Sequence, residues 1–329
     1  MRFVPASTPL DDFLADAGSA TDTGELLQRI GLFGSLGGAT LAAGLLVLLA
    51  VVHRGSHAEI RLLLRVVAMA GLFMVIGAAV EVAGVADING QAWPDALTSS
   101  AGSAAMMRLL GGLLVVLGLF DDVAPIGRPS SGTDAENEAE NEAESSVRWV
   151  PSAASAFGMT GAIAALLSFG FDGHTVTEGP RALHALTNVV HVASGSVWFG
   201  GIVGLAVLAL RRRADGSAAP LIVRFSSVAT GALILVAVAG GLMTLMIVDG
   251  LGELTDTDWG RRLLLKTGAI GIAVAIGAYN HFVVVPALDR HPDGSTAMVA
   301  RSRATLMVEA TVLVLVVVLT VLLAGASTN

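Results

Sequence analysis

The chain is predicted to be all-α, a polytopic membrane helical bundle of about eight transmembrane helices with both termini outside. Three observations predict it. Hydrophobic residues fill 54% of the 329 positions and charged residues 14%, with a mean hydropathy of +0.74, more apolar surface than a water-solvated domain of this length can carry. The apolar residues gather into stretches close to the roughly 20 residues that a helix needs to cross a hydrocarbon core about 30 Å thick. No stretch shows the alternation of about ten residues that a barrel strand requires, and an open sheet would leave unpaired edges in lipid.

Taken in order, the spans are expected at about 30–52, 62–85, 101–119, 150–169, 183–210, 221–248, 263–285 and 304–323. Ahead of the first lie Asp11, Asp12, Asp16, Asp22 and Glu25 with no basic run leading into a short apolar core, so no cleavable signal peptide is expected and the first span serves as the insertion signal. Arginine sets the orientation. Arg54, Arg61, Arg128, Arg148, Arg211, Arg212, Arg213, Arg224, Arg290, Arg301 and Arg303 lie in the loops after spans one, three, five and seven. The opposite loops hold Arg2, Arg181, Arg261 and Arg262, which makes the first set cytoplasmic. After span three the run from Gly127 to Ser146, with its Glu136 to Glu144 tract, is too charged and too poor in apolar residues to build a core. It is expected to be an acidic, disordered cytoplasmic linker (121–148) between a three-span module (1–120) and a five-span module (149–329). The net charge of -8 makes nucleic acid an unsuitable partner.

The chain has no cysteine, so a soft-metal site must draw on Met or His. The richest segment is Gly173-His174-Thr175 followed by His184, His191 and Trp198 on span five. Seven-residue spacing drifts only about 20° per step, so these three residues form one stripe, with Asn188 and Ser194 close by. Polar groups inside a membrane are costly and face the bundle interior or a water-filled path. His184 and His191 stand about 10.5 Å apart along the axis, so either they serve successive sites or one is structural. Gly195, Gly200 and Gly201 would admit a second helix closely on this face. Span six brings Met243 and Met246 to the outer half, and span three Met106 and Met107 to a similar depth. Thioether and imidazole suit copper, Cu(I) more than Cu(II), where thiolate is absent. Methionine in a membrane helix also packs, and each histidine could instead bond a neighbouring helix.

Other ionisable residues sit within spans. Glu81 and Arg108 share an outer depth, Lys266 lies just below the outer surface, and Glu309 lies near the depth of Asn280. Either pair could be an interhelical clamp, and Glu81 could alternatively serve an ion path. His53, His57, His281 and His291 lie near the cytoplasmic surface, where exposure explains them. Gly260 to Thr267 lacks the glycine before lysine of a phosphate loop, and Leu265 stands where a phosphorylated pump needs aspartate. No catalytic residue, and no enzyme, is expected.

The ordered series Trp198-Phe199-Gly200-Gly201 after His191, Arg224-Phe225-Ser226, Trp259 to Lys266, Asn280, Arg303 and Glu309 resembles the copper resistance D family over about residues 170–323. Gly173-His174 is similar to that family's extracytoplasmic glycine-histidine. The resemblance implies a copper-binding protein of the cytoplasmic membrane, a permease that imports copper for homeostasis or resistance. Its implied partners are the copper ion, the lipid bilayer and an extracytoplasmic copper chaperone. Two other readings stand beside it: a b-type haem or quinone-binding electron carrier, and a non-transporting scaffold or assembly factor.

Overall fold

The computed structural model describes residues 23–119, 147–171, 181–212, 219–248, 250, 252–290 and 296–324. The acidic tract from Gly127 to Ser146 lies outside them, as do His174, Arg128, Arg213, His291 and the acids from Asp11 to Asp22.

The chain is an all-α polytopic bundle. Helix α1 (Thr23–Val47) ends in a π turn (Leu48–Val52) and is followed by α2 (His57–Ile88), the short α3 (Trp93–Thr98) and α4 (Ser100–Gly118). Then come α5 (Ala153–Ser168) with a 3₁₀ turn (Phe169–Phe171), α6 (Arg181–Arg211) and α7 (Ala219–Ile247). Short α8 (Glu253–Asp256) leads to α9 (Asp258–Tyr279), a π turn (Asn280–Val284), α10 (Val285–Arg290) and α11 (Thr296–Ala324). Eight of these helices, α1, α2, α4, α5, α6, α7, α9 with its extension, and α11, are long and apolar enough to cross a membrane, in the order and near the positions expected.

Local sequence explains the starts. Ser56 and Glu59 form a capping box on α2, Ser152 and Ser155 do the same on α5, and the Ser99 and Thr257 hydroxyls accept from the backbone of Gly102 and Gly260. Each such cap contributes about 1 kcal/mol. The second π turn precedes Pro286, whose ring cannot donate a backbone hydrogen bond and crowds the carbonyl four residues back; a widened turn relieves both.

Helices α1 and α6 form the centre. In their most apolar stretches 72% and 67% of residues are buried, against 17%, 22% and 28% in α7, α9 and α11, which therefore meet mostly lipid. Helix α1 packs on α2 and α6, α2 on α4, α4 on α5, α6 on α7 and α11, and α9 on α11. Helix α5 thus returns across the acidic tract to the helix before it. At the central crossing α1 and α6 touch backbone to backbone: a Cβ on Gly200 would stand 2.7 Å from the Gly44 Cα, so this seam admits only glycine. On the outside, Met69, Leu72 and Ile76 of α2 and Ile234, Leu235 and Leu245 of α7 are exposed, as a lipid-facing surface requires.

Candidate functional site

Among the described residues, three polar clusters lie between the membrane-spanning helices and a fourth ties their ends. The first sits where α6 begins and α7 ends. His191 on α6 places Nδ1 3.0 Å from the Val236 carbonyl of α7. A carbonyl can only accept, so Nδ1 carries the proton and Nε2 keeps a lone pair. Gly240 makes the approach feasible, because a Cβ there would come within 2.9 Å of the imidazole ring. The two helices run antiparallel. Met243, seven residues beyond Val236 and within about 20° of its face, therefore lies level with His184, seven residues before His191. His184 is 1% exposed and, among the described residues, its Nδ1 has no hydrogen-bond partner. Met243 and Met246 are half-buried. Lys266 lies half-buried on α9.

The remaining members of the polar stripe have protein partners. Asn188 donates to the Phe169 carbonyl at 2.6 Å, tying α6 to the 3₁₀ turn, and Ser194 bonds its own helix at Val190. Met106 and Met107 are half-buried on α4, which packs on α2 and α5, away from the α6–α7 seam.

The second cluster lies farther along the stripe. Trp198 Nε1 donates to one oxygen of Glu309 at 3.2 Å and Asn280 Nδ2 to the other at 3.1 Å, joining α6, α9 and α11. These side chains face a cavity of about 230 Å³ that is also lined by Ser226, Phe225 and His281. The Glu309–Asn280 pairing follows the depths read from sequence; the Trp198 bond was not expected, because tryptophan was read with the histidine stripe. The Phe225 ring fills the space that a side chain at Gly201 would need.

The third cluster is an ion pair. Arg108 donates to Glu81 at 2.5 Å, Ser35 donates to the other Glu81 oxygen at 2.8 Å, and Arg108 also reaches Ser168 at 3.3 Å and stacks over Phe169 at 4.8 Å. Glu81 and Arg108 are 2% and 0% exposed, and the network joins α1, α2, α4 and α5.

One expectation is corrected. His53 is not an exposed surface histidine: it is fully buried, with Nε2 3.3 Å from Glu59, which also takes a bidentate contact from Arg212. This group fastens the start of α2 to the end of α6. Sequence reasoning passed over it because Glu59 and Arg212 lie beyond the apolar stretches, where a solvated charge is the usual reading. His281 does lie at an exposed position, bonded to Ser226 at 2.5 Å.

Among the described residues no three His, Asp or Glu side chains converge as a metal site. The two facing histidines that haem would need are not formed among the described residues either, since His184 and His191 share a helix and His281 is held by Ser226.

Residues 219–323 match the model of the copper resistance protein D family. An inner membrane protein, YebZ, of Escherichia coli (strain K12) is 30% identical over 125 residues, 37% of this chain and 43% of that protein. The copper transport protein CutJ of Bacillus subtilis (strain 168) is 30% identical over 122 residues, 36% of this chain and 22% of its own length. The chain thus spans less than half the length of these curated relatives. No solved structure matches it. The matched segment holds α7, α9 and α11, with Met243, Lys266, Asn280 and Glu309, and over that segment the chain is similar to the copper resistance protein D family.

Proposed function

We propose that the chain is a copper permease of the cytoplasmic membrane, moving copper between helices α6 and α7. What carries the reading is the α6–α7 seam: His191 is locked by Val236 with Nε2 left as a ligand, and the same face of α7 leads on to Met243, level with the unpartnered Nδ1 of buried His184. Imidazole held through one nitrogen by a carbonyl is the arrangement that orients a metal ligand. Thioether beside it selects Cu(I) over hard cations. The ion would be received at His174, held at His184 with Met243 and Met246, and passed to His191, successive stations about 10.5 Å apart on one helix face. The match to the copper resistance protein D family and the likeness to a Bacillus copper transport protein support copper as cargo. The arginine distribution puts the His184–Met243 end outside, and the proposal takes transport to run inward with an extracytoplasmic chaperone as donor.

The test is the copper content of purified protein after Cu(I) loading, followed by copper uptake into proteoliposomes. Wild type should hold copper, and His184→Ala, His191→Ala and Met243→Leu should lose it while keeping their helical circular dichroism. Absence of copper from the wild-type protein would overturn the reading. A Soret band in its visible spectrum would redirect it to haem.

A further inference from the structure

The buried acids of this chain are not alike. Glu81 faces Arg108, and Glu59 faces Arg212. Glu309 is 2% exposed, and among the described residues no Arg, Lys or His forms an ion pair with it; its two oxygens accept from the neutral donors Trp198 and Asn280. A buried acid retained to clamp helices is paired with a cation, because an uncompensated charge in the interior is expensive. Glu309 departs from that pattern, and it alone of the three borders the cavity.

Asn280 explains how the site tolerates both charge states. Its amide Nδ2 donates to Glu309, while its Oδ1 is buried without a partner, in a residue 8% exposed. A carboxylate needs donors and finds two. A carboxylic acid needs one acceptor for its O–H. A half-turn of the Asn280 amide presents Oδ1, which has no other partner among the described residues. An amide is the side chain that offers donor and acceptor from one place.

We propose that Glu309 is a proton-exchange site that loads and releases one proton through the cavity toward Ser226 and His281. On release the carboxyl O–H bond breaks, the proton passes to cavity water and then to the exposed end at His281, and the carboxylate keeps its two donors. A cavity of about 230 Å³ has room for several waters at roughly 30 Å³ each. Of the other titratable groups on the packed elements, His281 in the π turn after α9 borders the same cavity beside Ser226. Tyr279 ends α9, Arg301 and Arg303 lie back along α11, His191 is two turns back on α6 from Trp198, and Arg224 is near the start of α7. Helix α1 carries none from Ile30 to Val52. Resting on the copper reading above, the same exchange couples transport to protons: a passing Cu(I) offsets the charge left on Glu309, so one proton moves against each copper.

Infrared difference spectra of the full chain in liposomes test the site without copper. Wild type should show a protonated-carboxyl stretch that disappears as pH rises. Glu309→Gln should lack it, and Trp198→Phe, which keeps the acid and removes one donor, should retain the band with a displaced midpoint. A band that persists unchanged in Glu309→Gln, or a wild type with no titrating carboxyl band, overturns the proposal. Should Glu309→Gln fail to fold, the Trp198→Phe midpoint decides alone, and an unmoved midpoint counts against it. For the coupling, vesicles holding a pH dye receive a Cu(I) gradient. Proton counterflow that is lost in Glu309→Gln supports it, and copper flux without proton movement refutes it. A wild type that moves no copper refutes the permease reading, while the infrared band still decides the proton site.

Discussion

Glu81 and Arg108 show what one buried pair can decide. The carboxylate accepts from both Arg108 and Ser35, and the guanidinium is spent on Glu81, Ser168 and the Phe169 ring. So complete a set of partners describes a clamp rather than a station for an ion. Removing one charge leaves the other buried, at about 3–5 kcal/mol, whereas replacing both removes the problem. Glu81→Gln and Arg108→Gln should each lower the midpoint of unfolding in detergent, and the double variant should recover most of the loss. Copper held per folded molecule should not change in any of them; a fall would place Glu81 on the ion path instead. Depth along the chain was enough to pair Glu81 with Arg108 and Glu309 with Asn280, because the spans fix how deep a residue sits. Depth does not fix which way a helix is turned. Ser35, Ser168 and Trp198 were consequently missed as partners, and Met106 and Met107 were grouped with Met243 although their helix packs elsewhere.

At the level of elements the α1–α6 crossing sets the geometry of the α6–α7 seam, since α6 carries His184, His191 and Trp198. A Cβ at Gly44 would strike the Ser196 carbonyl and come within 2.8 Å of the Gly200 Cα, and backbone cannot move aside as a side-chain tip can. Gly44→Val should therefore cost at least the ~1–3 kcal/mol of an overpacked core, read as a lower unfolding midpoint, and should weaken copper binding from a distance. Gly231 on α7 has nothing within 4 Å of its absent Cβ, so Gly231→Ala should be neutral or gain about 0.5–1 kcal/mol from helix propensity. A Gly44→Val protein as stable as Gly231→Ala would refute the contact. The paired glycines at 200 and 201 announced a close neighbour in the sequence, but not that one glycine meets α1 and the other the Phe225 ring. Gly195, expected to act with them, would place a Cβ 3.9 Å from Val236, an ordinary contact that alanine could make. Glycine signals room, and only the fold says what uses it.

The number of spans was legible across the whole molecule because hydrocarbon leaves a chain little choice: every backbone group must be satisfied inside its own helix, over about 20 residues. Which helices are central was not legible, since a face against protein and a face against lipid are equally apolar, and the small residues that mark the seams occur in most spans. Orientation matters most for the proposed permease, for it decides which side of the membrane the His184–Met243 end of the seam faces. The arginine distribution puts that end outside, together with the turn after α2 and the segment between α7 and α9. Having no cysteine, the chain accepts single reporters without background. Gln91→Cys and Thr255→Cys, both at exposed positions, should react with a membrane-impermeant maleimide on intact cells, and Ser217→Cys, between α6 and α7, only after permeabilisation. The reverse pattern would turn the bundle over, so that His184 and Met243 load from the cytoplasm and the protein carries copper out.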